Sequence, residues 1–468
     1  MRYMRTSSAG HLRLIMGGLV LGTLILCGLV LGAMPVDAQP QSQAGHKGVL
    51  PAATACPAAI SEIATCYSEP LASGAYLLAA MPKVWNGNLI VFGHGGPAVV
   101  PPTASTSQND LAKYSFAVKS GYAWIASSYR REGYGVQMAA EDSEEARRFF
   151  IKRIAKPART IYHGASYGGL VGAKLIEAYA KNADGSLNYD GAFFNSGYVV
   201  GARVGHQFRA DLRAVYQYYC KNLPRPDEPQ YPLWAGLPAQ SKMTLKDLGA
   251  LVDECTGVAL APGARTELQK QNLSDILGVI RVPERMLVRH MQAATFLFRE
   301  IAERTTHGRS AFSNIGVRYS GSSNDVELNR GVARFAADPQ ALAELKADGE
   351  PTGLLPVPVM SIHSINDPQV VVEVQSAYRD AVERAGSGDR LAQAFTDESE
   401  HTGQSAPELA AALDALMQWV EKGVKPTPQV IAAACERWRG TFDGPCRYHP
   451  DFLPKPYGTR FYPREASR

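Results

Sequence analysis

The chain has 468 residues, and its 48 Lys and Arg against 44 Asp and Glu give a formal net charge of +4 at pH 7. The small basic excess is scattered along the chain, which excludes the concentrated charge of a nucleic-acid-binding surface. With no C-x-x-C pair and no histidines at ligand spacing, the sequence also excludes an ordinary zinc site.

The N-terminus reads as an export signal. Arg2, Arg5 and Arg13 make a basic head, Leu14 to Ala33 an apolar run, and Val36-Asp37-Ala38 a small-residue cleavage site before Gln39. Residues 1–38 are therefore expected to be a signal peptide, and the mature protein to be secreted or periplasmic, with no membrane contact after cleavage. The apolar run is long enough to span a bilayer, so an uncleaved N-terminal anchor is the alternative. Cys27 follows Leu26 rather than the small residue that a lipoprotein signal places there. Six cysteines remain after cleavage, an even number that suits disulfides in an exported chain. Their grouping suggests Cys56 with Cys66, Cys220 with Cys255, and Cys435 with Cys446, although sequence leaves other pairings open.

Ala75 to Ala80 is the first strand expected in the body. Leu89-Ile90-Val91-Phe92 follows as a continuous apolar run, the pattern of a strand buried on both faces. It ends in Gly93-His94-Gly95-Gly96-Pro97, a turn whose backbone N–H groups no side chain obstructs. The next strand is Ala123 to Ser127, and Glu144 to Ile154 reads as an amphipathic helix begun by the acidic Glu141-Asp142-Ser143. Tyr129 to Tyr134, between them, reads as a solvated loop, with a pocket wall as the alternative.

Arg159 to His163 is a short strand that runs into Gly164-Ala165-Ser166-Tyr167-Gly168, and a helix with small residues follows from Gly168 to Lys181. Strand, G-x-S-x-G and helix in that order make a nucleophile elbow, where a serine stands exposed on a tight turn. Ala192 to Asn195 is a further strand. The alternation predicts a largely parallel sheet flanked by helices, within a first core segment over residues 39–199.

From residue 200 to 355 helical patches replace the strand rhythm: Leu245 to Cys255, Thr266 to Ile280 and Pro283 to Ile301. This block is expected to be a helical cap. Its Asn324 to Asn329 stretch has oxygen ligands but lacks EF-hand spacing and the glycine of that loop, so no calcium site is assigned. The sheet pattern resumes over 356–424. Val357 to Ile362 is a strand ending in His363-Ser364-Ile365-Asn366-Asp367, followed by a helix over Val370 to Ala385. Leu391 to Phe395 is the last strand, closing in a segment that carries His401, and Pro407 to Lys422 is the last core helix. Residues 425–468, rich in Pro, Tyr and Arg, are expected to form a strap tied by Cys435 and Cys446.

Ser166, Asp367 and His401 each fall just beyond the C-terminal end of an expected strand, the edge where open parallel sheets bind ligands. They also come in the order serine, acid, histidine. On these residues the chain resembles an α/β-hydrolase over Ala75 to Lys422, the cap apart. His94-Gly95-Gly96-Pro97 resembles the oxyanion segment of prolyl iminopeptidases, and Gly164 to Gly169 the elbow of prolyl oligopeptidase relatives and of many secreted esterases. Two positions depart from the iminopeptidases: Ala98 stands where they continue with glycine, and Tyr167 where they usually carry Trp. No β-propeller repeat precedes the sheet, so a prolyl oligopeptidase architecture is excluded.

The chemistry then assigns itself. Ser166 needs a base to take its proton; His401 can do so, and Asp367 can hold the imidazole in the required tautomer. The N–H groups of Tyr167 and Gly96, with Gly95 as the nearest alternative, are the expected oxyanion donors. Asp397 is the rival acid. His163 and His363 read as packing or hydrogen-bonding residues, and His94 as the residue that fixes the oxyanion turn. The expected activity is hydrolysis of a small-molecule or polymeric carboxylic ester, without cofactor or metal; the oligomeric state is not legible. A serine aminopeptidase is the alternative, needing a buried cap carboxylate among Asp227, Glu228, Asp253 and Glu254 to hold the substrate ammonium. A non-catalytic binding protein on the same fold is a second alternative.

Overall fold

A computed structural model describes residues 49–97 and 100–463, all within one compact unit. The expected signal segment and Cys27 lie outside the described residues, as does Ala98.

Among the described residues nine strands form one sheet: β1 (Ala52–Thr54), β2 (Ala64–Pro70), β3 (Tyr76–Pro82), β4 (Asn88–Gly93), β5 (Ala123–Ser127), β6 (Arg159–Ala165), β7 (Gly191–Asn195), β8 (Val359–Ser364) and β9 (Leu391–Thr396). Their spatial order is β1-β2-β3-β5-β4-β6-β7-β8-β9. The pairs β1·β2, β2·β3 and β3·β5 are antiparallel; from β5 to β9 every pair is parallel. The chain winds outward from β4 to β5, then returns past β4 to build β6 to β9, so the winding reverses beside β4. A crevice opens at such a reversal, beyond the carboxyl ends of the strands.

The central strands β4 and β5 are buried along nearly their whole length because helices cover both faces. Alternate residues serve the two sides: Leu89, Val91 and Tyr162 join one core with the helices Val136–Arg153 and Tyr167–Tyr179. Ile90, Phe92 and Ile161 join another with the helix Ala406–Lys422 and the segment around Phe116. All six of these residues are fully buried, which is what the uninterrupted Leu89-Ile90-Val91-Phe92 run requires.

Between β7 and β8 the described elements, from Gly201–Gly205 to Pro339–Gly349, are all helical. Val252, Leu273, Ile276 and Phe298 of this insertion belong to the same apolar core as one face of the sheet. The expected helix over Pro283 to Ile301 is longer and irregular: Leu287–Gln292 and Phe298–Glu300 are α-helical, and Ala293–Leu297 and Ile301–Thr305 are π-helical turns.

Four local expectations change. The helix placed at Glu144 begins at Val136, because Asp348 of the insertion accepts hydrogen bonds from the Val136 and Gln137 N–H groups (3.1 and 3.3 Å) and caps it from afar. Asp142, expected to favour the helix start, instead accepts from the backbone N–H and Nε of Arg130, both at 2.7 Å. The C-terminal segment is more than a strap: Thr427 caps a helix over Pro428–Trp438, and Tyr448 forms a β-bridge with Thr396 of β9. Strands β1 and β2 also extend the sheet where none was expected.

Disulfides join Cys56 to Cys66, Cys220 to Cys255 and Cys435 to Cys446, with Cα separations of 5.3, 5.5 and 5.9 Å. The second ties two helices of the insertion; the third ties the C-terminal helix to the chain that follows it.

His163 of β6 is fully buried, 2.9 Å from the Asn195 side chain, with its ring stacked on Phe193. Burial pushes its pKa down to about 4, against the hydrogen bond to Asn195, which raises it. The unfolded chain takes up this proton near ~6.5, so the unfolded state binds more protons between the two values and stability is lost as pH falls through that window. Urea unfolding midpoints measured from pH 7.5 to 4 should therefore decline, with up to about 3 kcal/mol of the decline due to His163. The His163→Gln variant should show a shallower decline than the parent, whatever its stability at neutral pH.

Candidate active site

β4 and β6 lie side by side with Gly93 opposite Gly164, so the turn after β4 and the elbow after β6 leave the sheet together. Their contact is backbone on backbone. A Cβ at Gly164 would lie 2.2 Å from the Gly168 carbonyl oxygen, and one at Gly168 would lie 2.1 Å from that of Gly93. Neither position can carry a side chain without moving main chain. Ser166 takes φ 55° and ψ −118°, a conformation uncommon for a residue with a Cβ. The neighbouring strand β7 and the loop after it hold it there: Ser166 N–H donates to the Asn195 carbonyl (3.0 Å), and its own carbonyl accepts from Tyr198 N–H (3.0 Å).

The structure brings Ser166, His401 and Asp367 together from three strand ends. His401 Nε2 is 2.8 Å from Ser166 Oγ, and His401 Nδ1 is 2.7 Å from Asp367 Oδ2. The other carboxylate oxygen of Asp367 accepts from the N–H groups of Gln369 and Val370, each at 2.9 Å. Burial disfavours the Asp367 charge, but the facing His401, the nearby His363 and these hydrogen bonds outweigh it, and the carboxyl stays below its usual range. An ionised acid behind Nδ1 leaves the proton on that nitrogen and the lone pair of Nε2 toward Ser166. The His401 loop is itself braced, with Ser364 Oγ donating to the Glu400 carbonyl and Arg447 to that of Gly403.

The competing residues are occupied elsewhere. Asp397 is exposed and accepts from the Asn366 side chain. His363 is fully buried, and burial lowers its pKa against the raising effect of Asp367; it sits 2.8 Å from the Val370 carbonyl, 3.0 Å from Gln375 Nε2 and 3.6 Å from Asp367. His94 pairs through Nδ1 with Asp110 at 2.5 Å, and its carbonyl accepts from the Tyr129 hydroxyl.

Tyr167 opens the helix Tyr167–Tyr179, and a first-turn N–H has no acceptor within its own helix. Gly96 lines the same cavity as Ser166 and Tyr167, and a Cβ at Gly95 would come within 3.7 Å of Ser166 Cβ. Both glycines of the β4 turn thus stand beside the serine.

The cavity encloses ≈ 370 Å³. Its floor includes Gly96, Ser166, Tyr167 and Val370; the far wall is the π-turned helix, through Arg289, Ala293, Phe296, Leu297, Arg299 and Glu300. Tyr129 to Tyr134 is not a solvated loop. Tyr129 and Tyr134 are buried, Glu132 and Gly133 line the cavity, and Gly135 N–H donates to the Tyr167 hydroxyl. Asp227, Glu228, Asp253 and Glu254 lie away from it: the first two are exposed, Asp253 accepts from Ala259 N–H, and Glu254 pairs with Arg225. Asn324 caps the helix Asp325–Gly331, and among the described residues no group of three His, Cys, Asp or Glu is placed to hold a metal ion.

Sequence reasoning missed the cavity's charged residues, above all Arg209. Its helix, Gln207–Cys220, is buried at every position from Phe208 to Tyr216, so an inward arginine carries no periodic signal.

No family model matches the chain. It is similar to an o-phthalyl amidase of Xanthobacter agilis, 21% identical over 408 residues, which cover 77% of this chain and 88% of that protein. Among solved structures it is similar to feruloyl esterase B from Aspergillus oryzae, with 13% identity, a TM-score of 0.40, and coverage of 81% of this chain and 86% of the other. Lipase A of Candida antarctica in its closed state gives 14% identity, a TM-score of 0.39 and the same coverage. The strand order with its antiparallel β3, the parallel core and the strand–elbow–helix unit between β4 and β7 define an α/β-hydrolase fold.

The Gly168 contact is directly testable. Gly168→Ala should lower stability by about 1–3 kcal/mol, read as a fall in the urea midpoint, because a methyl group must enter a backbone contact. An unchanged midpoint would mean that the elbow and the β4 turn are not packed in this way.

Proposed function

We propose that this protein is a secreted serine hydrolase that cleaves a carboxylic ester through an acyl-enzyme on Ser166. The observation that carries the reading is the hydrogen-bonded line from Asp367 through His401 to Ser166, opening on a cleft whose lining is mostly apolar. Ser166 Oγ attacks the carbonyl carbon while His401 Nε2 takes its proton; the oxyanion is held by the N–H of Tyr167 and of Gly96, with Gly95 the neighbouring candidate. His401 then gives the proton to the departing alcohol. Water, deprotonated by the same nitrogen, releases the acid. Asp367 stays ionised and stabilises the imidazolium formed in each half-reaction. Each oxyanion donor is worth about 3 kcal/mol.

The helical insertion over 200–355 acts as the cap, closing the cavity opposite the serine. Three disulfides support an exported protein, and among the described residues no helix is long and apolar enough to cross a membrane. Amide hydrolysis is the second reading, favoured by the similarity to an amidase. For its aminopeptidase form, the four carboxylates expected to hold the substrate ammonium lie off the cavity, and Glu300 is the carboxylate of the insertion that lines it.

Steady-state hydrolysis of phenyl and p-nitrophenyl esters tests the proposal, with matched anilides to separate the two readings. Ester turnover should exceed anilide turnover. Ser166→Ala should abolish it, and Asp367→Asn should lower kcat on the order of 10³–10⁴-fold through the wrong imidazole tautomer. Ester hydrolysis retained at the parental rate in Ser166→Ala would overturn the assignment.

A further inference from the structure

Three arginines, Arg209, Arg289 and Arg299, line the cavity that holds Ser166. Arg209 is the unusual one, at 4% exposure with no carboxylate among its recorded partners in the described residues. Its guanidinium meets the rings of His206 and His290 and donates to the Gln369 carbonyl at 3.2 Å. It also lies over the aromatic faces of Phe208 and Tyr198, 4.8 and 5.9 Å from the ring centroids. Both histidines are held neutral, by burial first and by the Arg209 charge second. Arg209 is therefore a buried cation in a neutral setting, whereas buried charges are ordinarily paired.

The other two cations are no better balanced. Arg289 reaches the Gln292 side chain at 3.5 Å and Arg299 the Ser241 carbonyl at 3.3 Å, both neutral acceptors. The cavity's carboxylates offset them only in part. Glu132 and Glu300 both face one cation outside the lining, Arg304, at 3.6 and 3.0 Å, so the two carboxylates and Arg304 together offset a single positive charge. The cavity thus carries an excess of positive charge within low-dielectric walls, which concentrates anions, and guanidinium groups offer paired N–H donors that match a carboxylate.

The geometry points to a substrate that carries a free carboxylate besides its scissile bond, bound by Arg209 with Arg289 and Arg299. This rests on the serine-hydrolase reading and narrows its substrate class. Arg209 also links recognition to chemistry: its Gln369 contact is on the residue whose N–H donates to Asp367.

Two ester pairs test this on the whole protein, one with the charge on the acyl side and one with it on the leaving group: monophenyl adipate against methyl phenyl adipate, and 4-acetoxybenzoate against its methyl ester. In at least one pair kcat/KM should favour the anion by tenfold or more. That ratio should shrink severalfold at high salt and fall toward one in Arg209→Met. Because Arg209 is buried, Arg289→Gln and Arg299→Gln serve as second variants near the cavity mouth, and each should narrow the same ratio. Serine-dependent hydrolysis of the neutral esters with no anion preference in either pair would overturn the inference and leave the hydrolase reading standing. A preference that survives all three substitutions would equally overturn the assignment to these arginines. Absence of hydrolysis of all four esters would instead remove the hydrolase reading and the inference with it.

Discussion

The backbone contact between the end of β4 and the elbow after β6 is the constraint on which the site depends. Gly93 and Gly164 face each other across adjacent parallel strands, and the Gly168 Cα lies so close to the Gly93 carbonyl that no side chain fits between them. This approach sets Ser166 beside the turn that presents Gly95 and Gly96, so that the proposed nucleophile and the proposed oxyanion donors are positioned by one interaction. It also explains a local cost. Ser166 is held in a conformation that a residue with a Cβ rarely adopts, and β7 and the loop after it, through Asn195 and Tyr198, hold it there.

The remaining groups are tied to the same sheet edge from farther along the chain. β8 delivers Asp367 and β9 delivers the loop of His401, and the segment after β9 is braced by Arg447, which pairs with Glu398 of that segment and with Glu408 of the helix Ala406–Lys422. The insertion between β7 and β8 shares one apolar core with the sheet and caps the Val136 helix through Asp348. It is therefore coupled to the sheet beneath it, and its arginines are held over the elbow by packing as well as by chain connection. The proposed chemistry and the proposed choice of substrate then sit on opposite sides of one cavity.

What was legible in the sequence followed from local physics. Leu89 to Phe92 announces a strand buried on both faces because every residue is apolar, and G-x-S-x-G between strand and helix announces the elbow because only glycine fits there. The order of Ser166, Asp367 and His401 could be read because each follows a strand in a sheet that runs one way. Other features depend on partners distant in sequence. The start of the Val136 helix is set by Asp348, and Tyr134 is buried because Tyr167 and the insertion cover it. β2, Ala64-Thr65-Cys66-Tyr67-Ser68-Glu69-Pro70, mixes small, polar and apolar residues as an outer strand can, and so lacks a strong alternation. Arg209 left no mark because its helix is buried on all sides, where arginine breaks no visible pattern.

The central claim is that Ser166 is a nucleophile activated by His401. Its most direct test is the intact mass of the protein after brief exposure to a fluorophosphonate at neutral pH, followed by mapping of the modified peptide. One phosphonyl adduct on the peptide containing Ser166 is the result that the account requires. An unmodified protein, or an adduct on another serine with Ser166 untouched, would contradict it.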